Sequence, residues 1–494
     1  MAGPLLKATD VSKSFAAVQA LQDVTFSIEP GEVHALAGEN GSGKSTLIKV
    51  ISGVHVPDSG SIEIEGTSFD HLTPMQSINH GIQVIYQDFS VFPNLSVMEN
   101  LAVNSELAEH RFFVNRKRMR AIAEEAISRI GFDVDLDDTV ESLTVAQKQM
   151  IAISRALIFN TKLIIMDEPT TALTKKEVRT LFDTILSLKE GGIATLFVSH
   201  KLNEVFDISE KFTILRSGKV AAHGVVEELT EEKFSYYMTG RTFEKRHYEP
   251  KIQSNEPVLE VKSLNRERHF KDVSFSLNKG EILGITGLLD SGRSQVALSL
   301  FGIAPIDSGQ VMLHGKPVSI DTPQAAIQNK IGFVPEDRLT EGLFLPQSIG
   351  DNVVVGEIDE LTKQFSFLDN EKRSSEIKKW VEELAIATPD PDNACLTLSG
   401  GNQQRVVLAK WLACDLDILI LNGPTVGVDI GSKYDIHGIL QGLAEKGLSL
   451  IIVSDDLPEI LENCSRILVM KSGEIVADLI SEKTDETEIL SYMM

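Results

Sequence analysis

Residues 31 to 45 read GEVHALAGENGSGKS. The apolar run VHALA leads into GENGSGKS (38–45), which fits G-x-x-x-x-G-K-[S/T], and TLIKVIS behind it has helical spacing. A strand that feeds a glycine-rich turn and opens a helix surrounds a phosphate chain with backbone N–H groups and the positive end of the helix. In that arrangement Gly38, Gly41 and Gly43 let the backbone wrap the phosphates, Lys44 reaches the β- and γ-phosphates, and Ser45 ligates Mg²⁺. Glu39, Asn40, Ser42 and Thr46 complete the candidate contact set.

The same text recurs. GEILGITGLLDSGRS (280–294) answers to it, and Pro169-Thr170 answers to Pro424-Thr425. Leu143 corresponds to Leu398, Gln87 to Glu336 and His200 to Asp455. Landmarks in the same order at nearly constant spacing mean a tandem duplication. The expected division is one domain over 1–240, a charged and proline-bearing linker over 241–257, and a second domain over 258–494. Within each half, short Val/Ile/Leu runs alternate with amphipathic stretches such as KRMRAIAEEAISRIGF, which reads as α/β with a largely parallel sheet. A more β-rich portion precedes each glycine-rich loop.

The first copy carries more chemistry. LIIMDEPT (163–170) ends an apolar strand in Asp167 and Glu168, a first carboxylate for the Mg²⁺ shell and a second to orient or deprotonate the attacking water. His200 ends the next apolar strand, ATLFVSH. Gln87, after GIQVIY, is placed to reach both Mg²⁺ and the water. Phe15 is open to two readings, an adenine-stacking platform or a core residue. In the second copy ILILNGPT (418–425) carries Asn422 and Gly423 in place of the two carboxylates.

Composition limits the alternatives. With 494 residues the chain exceeds a single hydrophobic core. A net charge of −24 argues against a large nucleic-acid surface, and the one concentrated basic stretch, RFFVNRKRMR (111–120), reads as a solvated helix start. Cys395, Cys414 and Cys464 show no paired spacing. The N-terminal text lacks a secretory signal, and no apolar run reaches the ~18 residues that span a bilayer.

These motifs resemble the ATP-binding cassette ATPases, over essentially the whole chain. Specific to that family is the signature segment, present as LSGGNQQ (398–404). Two cassettes in one chain, the linker MTGRTFEKRHYEP and VPEDR (334–338) in place of a second Gln loop look like the ATPase subunit of bacterial monosaccharide importers of the ribose, galactose and xylose type. The resemblance implies two tandem P-loop cassettes, each with a mixed-sheet core, a β-rich portion and a helical signature subdomain. It implies ATP and Mg²⁺ as cofactors. It further implies a peripheral subunit on the cytoplasmic face of the inner membrane, docked on permease subunits fed by a soluble sugar-binding protein, with no nucleic-acid partner.

The family's cassettes pair head to tail. Carried onto this sequence, site one joins Lys44, Ser45, Gln87, Asp167, Glu168 and His200 to Ser399, Gly400 and Gly401. Site two joins Arg293, Ser294, Glu336, Asn422, Gly423 and Asp455 to LTVAQ (143–147), and nearly every position there is altered. Asp429 stands where a dimer-contacting aspartate is expected. DFSVFPNLSVMENL (88–101), with Phe89, Phe92 and Pro93, is expected to face a permease helix. Two other classes share parts of this pattern, soluble tandem-cassette ATPases that act on ribosomes and non-hydrolytic nucleotide sensors.

Overall fold

A computed structural model describes residues 3–16, 18–86, 91–108, 115–170, 173–242, 247–251, 256–362 and 368–494. The chain forms two compact units, Met1–Phe243 and Glu244–Met494. In chain order the strands of the first are β1 (Leu6–Phe15), β2 (Val18–Ile28), β3 (Val33–Ala37), β4 (Ser59–Ile64), β5 (Thr67–Phe69), β6 (Ile82–Ile85), β7 (Leu163–Asp167), β8 (Ala194–Val198), β9 (Lys211–Arg216) and β10 (Lys219–Val225). They make a four-stranded antiparallel sheet, β2-β1-β4-β5, and a six-stranded sheet, β10-β9-β3-β8-β7-β6. The latter is parallel except for β10.

Strands β3 and β8 are buried at every residue, and β7 at all but its last. This is why they read as near-continuous apolar runs, with His34 and Thr195 as buried polar exceptions: a parallel strand covered on both faces has no solvent side to show. The register pairs Leu36 with Val198 and Val198 with Asp167. Three adjacent strands therefore end at one level. The loop 38–43, Glu168 and His200 all follow those ends, the crevice where α/β sheets place their ligands.

The β-rich portion is larger than its N-terminal text. Half of the antiparallel sheet, β4 and β5, is supplied by the chain after the helix Lys44–Ile51. A separate cluster around Val97, Leu101, Met119, Ala123, Val140 and Ile151 joins helices Val97–Ala108, Arg116–Ile130 and Val145–Ala156. The basic stretch lies partly on the second of these helices, where Asn115 caps the N-terminus and Arg120 pairs with Asp137 in solvent.

The second unit repeats the plan with β11 (Pro257–Arg266), β12 (Phe270–Asn278), β13 (Ile282–Gly287), β14 (Ser308–Leu313), β15 (Lys316–Val318), β16 (Ile331–Val334), β17 (Ile418–Asn422), β18 (Ser449–Val453), β19 (Arg466–Lys471) and β20 (Glu474–Ile480). Its sheets run β12-β11-β14-β15 and β16-β17-β18-β13-β19-β20, the order of the first unit strand for strand. Part of the stretch expected as a linker packs on this unit. Tyr248 is 7% exposed in its core, its N–H donates to the Glu462 carbonyl, and His247 Nδ1 lies 2.8 Å from the Leu461 carbonyl. Among the described residues no helix is long and apolar enough to cross a membrane.

Candidate functional site

In the first unit β3 delivers the chain to a loop with little tolerance for side chains. A Cβ on Gly38 would stand 2.5 Å from the Leu215 carbonyl, and one on Gly43, at φ 109°, 2.5 Å from that of Ala20. Gly43 caps the helix that begins at Lys44. Lys44 is 5% exposed, and its ammonium donates to the carbonyls of Gly38 (2.6 Å) and Glu39 (3.1 Å). Burial lowers its pKa, while Glu168, Asp167 and Glu39 pull it back up. Ser45 is exposed and shares a hydrogen bond with Asp167.

The adjacent carboxylates sit in opposed environments. Burial, reinforced by the charge of Glu168, raises the pKa of Asp167. Glu168 moves down instead, because its Oε1 lies 3.1 Å from His200 Nδ1. Two neighbours whose affinities for protons are driven apart are suited to different tasks. Glu168 stays ionised and able to accept a proton. Asp167 gains most from a cation beside it, and with the Ser45 hydroxyl it offers the oxygen donors that Mg²⁺ prefers.

Glu168 also occupies the left-handed region, at φ 47°. Such a conformation costs on the order of 1–3 kcal/mol in a non-glycine residue and persists only where its surroundings enforce it. Here the Glu168 N–H donates to the Val198 carbonyl at 3.0 Å. A buried acid absent from the sequence reading, Glu204, braces the same corner: Thr170 Oγ1 donates to it at 2.6 Å and Ser199 Oγ at 2.6 Å. The duplication is the signal that could have found it, because Glu459 receives Thr425 in the same way.

Phe15 is 41% exposed at the end of β1, edge-on to His55 with Lys13 over its ring, so the core reading is set aside. Gln87 and Phe89 lie outside the described residues.

In the second unit the equivalent atoms are used differently. Arg293 donates to the carbonyl of Gly287, the counterpart of Gly38, and pairs with Asp455 at 3.3 Å. The cation that would meet a phosphate is thus held by an acid. Ser294 donates weakly to Asn422. Gly423 has φ 60° and bonds to Val453 as Glu168 does to Val198, so glycine removes the strain together with the carboxylate. Leu288 and Leu289, 53% and 78% exposed, replace Glu39 and Asn40. Arg266, hydrogen-bonded to Gln295, ends β11 where Phe15 ends β1.

The two signature segments diverge at a helix N-terminus. Thr144 caps its helix by accepting from the Gln147 N–H, and Gln147 Oε1 receives the Thr144 N–H in return. This reciprocal cap satisfies two of the helix's own free donors. Ser399 begins the helix Gly400–Leu412 with no side-chain cap, its exposed hydroxyl receiving only the Asn402 amide. Gly400 and the buried Gly401 follow, and no side chain caps the first backbone donors of this helix, the kind of N-terminus that suits an anion. Asp429 has a local task, capping the helix Ile430–Glu445 through the Ser432 N–H and hydroxyl.

The ABC transporter family model matches residues 21–171 and 270–426. A Clostridium perfringens protein named ribose import ATP-binding protein RbsA is 39% identical over 99% of this chain and 97% of its own. Its Bacillus licheniformis namesake is 37% identical over 98% of each chain. An Agrobacterium fabrum protein named for ribose/galactose/methyl galactoside import is 40% identical over 99% of this chain and 97% of its own. Among solved structures, a nucleotide-free ATP-binding cassette aligns with 46% of this chain and 93% of its own, at 27% identity and a TM-score of 0.42. The chain belongs to the ABC transporter family, as a tandem pair of ATP-binding cassettes.

Proposed function

We propose that this chain is the ATPase subunit that energises monosaccharide uptake, with 1–240 and 258–494 as its cassettes and hydrolysis confined to one composite site. That site is the phosphate loop and carboxylate pair of the first cassette completed by Ser399, Gly400 and Gly401 of the second. The observation that carries the reading is the Glu168–His200 pair set at the end of the strand beside Lys44 and Ser45, while the second cassette ties its loop cation to Asp455 and has no carboxylate after β17. The full-length similarity to sugar-import ATP-binding proteins supports the transport role.

In this account the loop 38–45 holds the triphosphate of ATP and Phe15 stacks on adenine. Bound Mg²⁺ supplies charge neutralisation at the β- and γ-phosphates, where Ser45 and Asp167 would hold it. Glu168, kept ionised by His200, takes the proton of the attacking water. The open helix N-terminus at Gly400 and Gly401 stabilises the γ-phosphate, whereas the self-capped Thr144–Gln147 turn offers its counterpart little.

Docking on a permease is supported by Phe92 and Phe344. Both stand exposed, at 49% and 59%. Each loop is held by a buried asparagine: Asn100 Oδ1 accepts from the Phe92 N–H and Asn352 Oδ1 from the Phe344 N–H, both at 2.8 Å. A rigidly displayed aromatic is a natural anchor for a partner helix. Cysteine placed at position 92 or 344 is expected to cross-link to a membrane permease subunit. Failure at both positions and their neighbours, or capture on ribosomes instead, would overturn the assignment.

A further inference from the structure

The segment that carries Gln87 in the first cassette is, in the second, fastened to the signature helix. Arg338 opens a single π-type turn, Arg338–Gly342, whose start is fixed by Asp337 accepting the Leu339 and Thr340 N–H groups. Its guanidinium reaches three places at once. Nη1 donates to the Val426 carbonyl at 2.7 Å, Nη2 to the Gly427 carbonyl at 3.0 Å, and Nε to Gln403 Oε1 at 3.4 Å. At the far end of the turn Lys410 donates to the Gly342 carbonyl at 2.6 Å. Gln403 and Lys410 both lie on the helix Gly400–Leu412.

The same guanidinium fills the space under the signature. A Cβ on Gly400 would stand 2.6 Å from Arg338 Nη2, and one on Gly427 3.2 Å from Nη1. Arg338 is half-buried, and burial depresses its pKa. Three of its five donors go to two carbonyls and an amide, so its work is to hold backbone in place. A planar fork with donors in fixed directions does this in a way that a Lys ammonium does not.

We infer that Arg338 is a positioning residue for ATP hydrolysis: by clamping the 426–427 backbone to the signature helix, it presents Gly400 and Gly401 in one orientation to the nucleotide bound by the other cassette. This rests on the composite-site reading above. A π-type turn at this position fits the frequent use of such turns at functional sites.

The test compares Arg338→Ala and Arg338→Lys in the full chain assembled with its permease, measuring kcat, KM for ATP, melting temperature and binding of a fluorescent ATP analogue. Arg338→Ala is expected to lower kcat roughly 10- to 100-fold, the scale of a small misplacement of a catalytic group. Analogue binding, which depends on Lys44 and its loop, stays unchanged. Arg338→Lys, able to reach one carbonyl, falls between the two. An unchanged kcat in Arg338→Ala overturns the inference. So does a loss that tracks lowered melting temperature and weakened analogue binding, which marks a merely structural role. Glu168→Gln serves as the control: if it remains active, the composite-site reading fails, whereas a dead Glu168→Gln beside an unimpaired Arg338→Ala removes only the role of Arg338.

Discussion

Glu168→Gln is expected to abolish turnover while leaving ATP bound. Glutamine keeps the length and hydrogen-bonding capacity of the side chain at 3.1 Å from His200, and it leaves Lys44, Ser45 and Asp167 in place. What it removes is the carboxylate that follows β7 beside His200, and loss of a general base typically costs ~10² to 10⁴-fold. Position rather than basicity makes the assignment specific: burial raises the pKa of Asp167 beside the Ser45 hydroxyl, while Glu168, its pKa lowered by the His200 hydrogen bond, is the carboxylate set past the strand end against His200. Single-turnover hydrolysis by the assembled importer measures the loss. A near-wild-type rate would mean that water is activated elsewhere.

The second large effect belongs to Gly401. Gly401→Asp should silence the protein, by placing a negative side chain where the signature backbone meets the phosphate. The structure adds a nearer cause that the sequence did not reveal: even a Cβ here would run into the Ser432 side chain of the same cassette. Overpacking of that kind costs about 1–3 kcal/mol by itself. The two causes separate in Gly401→Asp with and without Ser432→Gly. If the crowding is the whole effect, the double variant recovers full ATPase activity. The composite-site account predicts that it regains its melting temperature and stays well below wild type in kcat, because the added negative charge remains at the helix N-terminus offered to the phosphate.

The repeat, the phosphate loop and the unarmed copy of the strand end were legible because they are local patterns: a glycine loop between a strand and a helix, and two texts in one order. Features made by distant segments were not. β4 follows the phosphate-loop helix and returns to pair with β1, carrying β5 on its other edge, and Ser432 meets Gly401 from the helix Ile430–Glu445. Arg338 reaches carbonyls 88 and 89 residues on. Conformation was hidden as well. Gly423 read as a lost carboxylate, and its φ of 60° shows that it also relieves a strain Glu168 must bear. One missed feature was readable in hindsight, since Thr144 and Gln147 stand at capping-box spacing.

The claim that hydrolysis belongs to one site is tested most directly by rearming the other. Asn422→Asp and Gly423→Glu restore both carboxylates to the second cassette, and Glu168→Gln in the same chain removes the first site's base. Arg293 remains paired with Asp455, Thr144 remains capped by Gln147, and the new glutamate must adopt a left-handed backbone beside Val426 and Glu336. Phosphoryl transfer needs the cation, the base and the signature backbone together. Steady-state phosphate release by this triple variant with its permease is therefore expected to match that of Glu168→Gln alone, and turnover approaching wild type would contradict the account.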